Sequence, residues 1–100
     1  MAEFYPSSKG RLSFSGAVYV NSDTATDDNA RRFETSSKKL RDMVIYVETN
    51  DQLFGDSASQ TFPIAAGSSF GITQIDISTL YFCNATAGQN GTVHIIGVES

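Results

Sequence analysis

One histidine, one cysteine and eleven carboxylates are the side chains from which this chain could build an active or metal-binding centre. His94 occupies an alternating position in a strand-like run and has no second histidine with which to share a metal, so it reads as a surface or rim residue. Cys83 follows Phe82 at the end of an apolar run, where a free cysteine packs as a small hydrophobe. A lone thiol also excludes an intramolecular disulfide and the four-thiolate zinc patterns, and it suits synthesis in a reducing cytoplasm. Asp23, Asp27, Asp28 and Asn29 offer oxygens to Ca²⁺ without the D-x-D-x-D-G spacing that makes such ligands converge. Asp51, Asp56 and Asp76 fall at turns beside strands, where aspartate bonds the local backbone, so a paired-carboxylate hydrolase is not indicated. There is no Walker loop or dinucleotide fingerprint. The expectation is a non-enzymatic protein with no catalytic residue, no cofactor and no metal ligand.

Binding chemistry is constrained by charge. A net charge of −4 and a pI near 4.6 work against neutralising a polyphosphate backbone, so nucleic acid is not an expected partner. The basic residues Arg31, Arg32, Lys38, Lys39 and Arg41 cluster behind the acidic Asp23, Asp27 and Asp28, and read either as a solvated segment of mixed charge or as a docking site for an acidic partner. Phe4, Tyr5, Arg31 and Arg32 are the candidate partner-docking residues. Tyr5, Tyr19, Tyr46 and Tyr81 could form a sugar-stacking platform, but without tryptophan they read more simply as packing at the rim of a core. Asn84-Ala85-Thr86 and Asn90-Gly91-Thr92 match the glycosylation sequon and are read as turn chemistry.

The elements that must position these residues are short strands. Residues 1–10 are polar, with Pro6 and Gly10 and no apolar leader, and read as an extended arm that engages a neighbour or frays. No apolar run approaches the roughly 18 residues of a membrane span. Residues 11–100 read as one domain. Period-two alternation over residues 11–20 places Leu12, Phe14, Val18 and Val20 on a buried face, and residues 21–37 read as a long loop. Met43-Val44-Ile45-Tyr46-Val47-Glu48 is the candidate central strand. Gln52-Leu53-Phe54-Gly55 and Thr61-Phe62-Pro63-Ile64 are edge candidates, because Pro63 cannot donate to a ladder and few charges protect either run. Phe70 and Ile72 point inward from the next strand, with an irregularity near Thr73 and Gln74. Residues 79–83 and 92–98 read as a closing hairpin turned by Asn90-Gly91. The predicted core is Leu12, Phe14, Val18, Val20, Ile45, Val47, Phe70, Ile72, Leu80, Phe82, Val93 and Ile95.

These strands predict an all-β fold, a single small antiparallel β-sandwich of jelly-roll-like type with an extended N-terminal arm. The sequence of turns is more specific. Phe54-Gly55-Asp56, Ile64-Ala65-Ala66-Gly67, the corner from Ile75-Asp76 to Leu80-Tyr81 and the closing Gly97-Val98 resemble the rhythm of small β-sandwich virion structural proteins of tailed bacteriophages, of the capsid decoration, head-fibre or tail-associated type. The resemblance implies a capsid decoration protein that docks on the head lattice, with the major capsid or tail protein of the same virion as partner. It also implies a homo-oligomer, most often a trimer, and a virion location after synthesis in the host cytoplasm. A tail- or fibre-associated module that binds a carbohydrate or receptor is the alternative.

Overall fold

The computed structural model describes residues 16–100. Seven strands are formed in chain order: β1 (Val18–Thr24), β2 (Lys39–Thr49), β3 (Gln52–Gly55), β4 (Gln60–Ile64), β5 (Ser69–Asp76), β6 (Tyr81–Asn84) and β7 (Thr92–Glu99). They build two antiparallel sheets, β1-β7-β2-β5 and β4-β3-β6, packed as a sandwich. Leu40, Met43, Ile45, Val47, Val93 and Ile95 from the larger sheet meet Phe54, Ile64 and Phe82 from the smaller one, with Leu80 just before β6. Leu12 and Phe14 of the predicted core, and the predicted arm, lie outside the described residues.

The long strand β2 explains how one sequence serves both sheet faces. Leu40 and Met43 are three residues apart yet both buried, because the β2/β7 register shifts between Leu40 and Asp42. The bulge at Arg41 lets two residues oppose one and restores the inward phase, after which Met43, Ile45 and Val47 alternate inward regularly. Asn50, at φ 53°, turns the chain out of the first sheet into β3; asparagine tolerates this left-handed conformation better than most residues. The β4–β5 turn uses Gly67 at φ 84°, whose N–H donates to Val47 O at 2.7 Å, and Asp51 Oδ1 accepts from the Ala66 N–H at 2.8 Å.

The corner between β5 and β6 is a 3-10 turn (Ile77–Thr79) that buries Ile77 completely. Asp76 organises it. Its carboxylate accepts from Ser37 Oγ at 2.6 Å, Ser78 Oγ at 2.7 Å and the N–H groups of Lys38 and Ser78, both at 3.1 Å. These donors, Ser37 first, hold the Asp76 carboxyl far below the ordinary carboxylate range. Because folding lowers this pKa, the stabilisation is complete above the unfolded value near 4 and is lost as pH falls through the lower folded value. Asp76→Ala should therefore lower the melting temperature at pH 7, with the gap to the parent narrowing as pH drops below about 4. Melts at a series of pH values check this; a gap independent of pH would mean that the carboxylate charge is not what holds the corner.

Four sequence-based expectations are corrected. Val18 and Val20 are 66% and 67% exposed, and Tyr19 between them is buried. Tyr19 pairs with Gly97 across the ladder, and its hydroxyl donates to the Glu34 carboxylate at the edge of the sandwich. The first strand also runs on through Asn21-Ser22-Asp23-Thr24, which pair with Ile95, His94, Val93 and Thr92, so the polar stretch is strand before it becomes loop. Gln52–Gly55 is the middle of its sheet, between β4 and β6, whereas the Pro63 strand is an edge as expected. Residues 79–83 and 92–98 do not form a hairpin: β6 borders β3, and β7 lies in the other sheet between β1 and β2. Asn90 and Gly91 do not supply the positive φ of this connection; Gly88 does, at 77°. Phe70 faces inward beside Ile45 but stays 42% exposed because β5 is an edge strand. The expected irregularity falls at Gln74, which takes φ 54° and whose pairing opposite Arg41 drops out of the β2/β5 ladder.

Candidate functional site

The candidate chemical residues are dispersed. His94 lies on the outward face of the four-stranded sheet, its Nε2 2.6 Å from Glu48 Oε1 and its ring stacked on Tyr46 at 6.2 Å between centroids. Cys83 sits on β6, and burial together with the charge of Asp28 pushes its thiol pKa up, away from a reactive thiolate. Asp23 is bound to Arg31, while Asp27 and Asp28 accept local hydrogen bonds from Asn29, Asn84 and Gly88. No group of three His, Cys, Asp or Glu residues converges as a metal site among the described residues.

The candidate docking residues divide in the same way. Phe4 and Tyr5 lie outside the described residues. Arg31 Nε is 2.7 Å from Asp23 Oδ2, and its main chain exchanges both hydrogen bonds with Phe82, so it extends the edge of β6. The Asp23 hydrogen bond raises its already high pKa. Arg32 lies over the Tyr81 ring at 5.2 Å and donates from Nη1 to Ser78 O at 3.3 Å. The Arg31 guanidinium thus ties the 25–38 loop to β1 of the larger sheet, while the Arg31 main chain and the Arg32 guanidinium hold it against the smaller sheet. Tyr5 lies outside the described residues, and among the described residues the tyrosines form no common platform: Tyr19 points inward, Tyr46 outward, and Tyr81 lies under Arg32. Asn84, of the first sequon, is 7% exposed and bonded through both ends of its amide, which leaves no room for a glycan.

Two apolar surfaces are left open instead. The first is the outward face of the four-stranded sheet. Cross-strand neighbours Val20, Ile96, Val44 and Gly71 form one row, and Val18, Val98, Asp42 and Thr73 the next. Val20, Ile96 and Val44 are 67%, 53% and 43% exposed. A shallow hollow of about 410 Å³ lies over Gly71, walled by Val44, Ile96 and Thr73. The second surface is the mouth between β4 and β5, the free edges on one side of the sandwich. Phe62 and Phe70 meet there at 4.9 Å between centroids, 49% and 42% exposed, over a gap of about 200 Å³ that reaches Ile45, Phe54 and Leu80.

Sequence reasoning missed the outward face because each valine of β1 was assigned to the core. A signal was present in the adjacent pairs Val44-Ile45 and Ile95-Ile96, where two consecutive branched residues make a strand apolar on both sides. Strands of that kind have both faces covered.

No protein-family model matches the chain, and no curated protein matches it. Among solved structures, the polyketide cyclase RemF from Streptomyces resistomycificus aligns with a TM-score of 0.54 at 10% identity, covering 81% of this chain and 54% of that one. The chain thus spans about half the length of the cyclase. Tobacco streak virus coat protein aligns at a TM-score of 0.35 in two structures, a dimer at 12% identity covering 83% of this chain and 86% of the other, and a C2 crystal form at 11% covering 89% and 90%. The cyclase likeness, at such low identity, speaks for shared fold alone, and the coat-protein likeness is too distant to carry an argument. The class defined by the strands and their packing is an all-β antiparallel sandwich. Among the described residues, no helix is long and apolar enough to cross a membrane.

Proposed function

We propose that the protein is a non-enzymatic structural subunit of a virion, a capsid decoration protein of a tailed bacteriophage that docks on the head lattice. The observation that carries this reading is the pair of separate apolar surfaces, the outward sheet face and the Phe62/Phe70 mouth, on a domain of this size. A monomeric soluble protein has little reason to leave both uncovered, whereas a subunit held between neighbours needs more than one contact. The turn pattern supports the same reading, since the residues that carry the phage resemblance form the turns at Gly55, Gly67 and Asp76. In this proposal the mouth takes an apolar side chain from the major capsid or tail protein, and copies of the chain associate with one another.

Co-sedimentation of the purified full chain with particles of the virus that encodes it tests the proposal. Binding that saturates at a fixed number of copies per particle is expected. Phe62→Asp should weaken it at least about tenfold, because central aromatic anchors dominate such contacts. Absence of the protein from purified particles, together with no co-sedimentation, overturns the reading.

A further inference from the structure

We infer that the outward face of the four-stranded sheet is a two-fold interface with a second copy of this chain, in which Val20 of each copy seats over Gly71 of the other. The inference rests on the shape of the face and is independent of the virion reading.

Gly71 is the starting point. It lies within β5, takes no positive φ, and a Cβ there would come no closer than 3.8 Å to Met43 O. Neither the backbone nor packing among the described residues demands glycine, and glycine weakens a strand interior. Glycine at such a place marks a close approach by something else.

The row containing it has a pattern. Across the sheet, Val20, Ile96 and Val44 project branched side chains, and Gly71 projects none. A two-fold axis along the strands, above the seam between β7 and β2, exchanges β1 with β5 and β7 with β2. Val20 of one copy then meets the hollow over Gly71 of the partner subunit, and Ile96 meets Val44 of the partner subunit. Every position pairs a large side chain with a smaller or absent one, so the row complements itself, as an isologous contact requires. In the row on the other side of the centre, His94 and Tyr46 are cross-strand neighbours and exchange places under the same axis. Asp42, one row from the centre, keeps Arg41 Nε at 3.5 Å and meets no carboxylate.

The size of the face sets the strength. Four strands spaced about 4.8 Å apart and seven residues long span roughly 19 by 23 Å, or about 900 Å² for the two copies together. Stable complexes bury about 1,200–2,000 Å², so the dimer is a weak one.

Sedimentation equilibrium of the purified full chain from about 5 to about 500 µM tests this. The expected result is a concentration-dependent rise from the mass of one chain to that of two. Gly71→Val fills the hollow and should raise the Kd at least tenfold with no loss in melting temperature; Val20→Gly should weaken association similarly. The double variant V20G/G71V exchanges projection and hollow on both copies and should return the Kd to within about threefold of the parent. If Val20→Gly lowers the melting temperature enough to obscure the reading, Ile96→Ser, beside the axis, should give the same loss of dimer. A monomer at every concentration, a mass of three chains, or failure of the double variant to recover where both single variants lose association would each overturn the inference. A monomer here would leave the co-sedimentation test of the virion reading untouched.

Discussion

Phe82→Ala should cost about 3–5 kcal/mol of unfolding free energy, the range for an aromatic ring removed from a close-packed core. Phe82 is fully buried, and its ring lies 5.1 Å from Phe33 and 5.6 Å from Phe54 between centroids. It belongs to β6, which among the described strands is paired with β3 alone, and its N–H and C=O also hold Arg31 at 2.9 Å each. Loss of the ring therefore removes the contacts that tie Phe33 of the 25–38 loop and Phe54 of β3 into the core between the sheets. Urea titration of variant and parent checks this, with the midpoint falling and the slope preserved if unfolding remains two-state. Phe62→Ala, at a half-exposed ring, should cost far less and serves as the control. A loss under about 1 kcal/mol for Phe82→Ala would mean that the smaller sheet is not held by this ring.

Phe82 was legible in the sequence, as were Ile45, Val47, Leu80, Val93 and Ile95, because each lies in a run whose alternation leaves one face apolar. Two turn aspartates were legible for a similarly local reason: Asp56 and Asp76 accept from backbone N–H groups two residues on, whereas Asp51 accepts from the Ala66 N–H in the separate β4–β5 turn. What local pattern could not deliver was pairing across the sandwich. The short loop between β6 and β7 reads as a hairpin, but the chain changes sheets there, and nothing between Asn84 and Gly91 distinguishes the two outcomes except side-chain bonds to distant loops. The phase of β1 failed because valine was ranked as more inward than tyrosine. That ranking reverses where a carboxylate takes the hydroxyl of an inward ring. The same reversal hid the candidate site, since residues assigned to the core were the ones left on the outward face.

Asn84→Ala should cost on the order of 3 kcal/mol, because the side chain joins three segments that have little else in common. Its Nδ2 lies 2.9 Å from Asp28 Oδ1, 2.9 Å from Asn90 Oδ1 and 3.1 Å from Asp27 O, and its Oδ1 accepts from Gln52 Nε2 at 3.0 Å and from the Gly91 N–H at 3.3 Å. Two amide hydrogens serve three acceptors, so these bonds are shared. Gln52 is fully buried, and its Oε1 has no hydrogen-bond partner. Truncation of Asn84 takes a bond from its Nε2 as well, leaving only Asp51 O at 3.1 Å and the longer 3.4 Å contact to Asn50 O. Burial without partners is what makes such a change costly. The variant also has a signature that a packing defect would lack. Asn84, followed by the Gly88 N–H, holds the Asp28 carboxyl below its ordinary pKa. Removing the amide should let that pKa rise, and the β6–β7 loop should lose hydrogen-exchange protection together with residues 27–29. Urea titration combined with an NMR titration of the Asp28 carboxyl gives both readouts. Unchanged Asp28 titration with a loss below about 1 kcal/mol would show that this network does not hold the loops together.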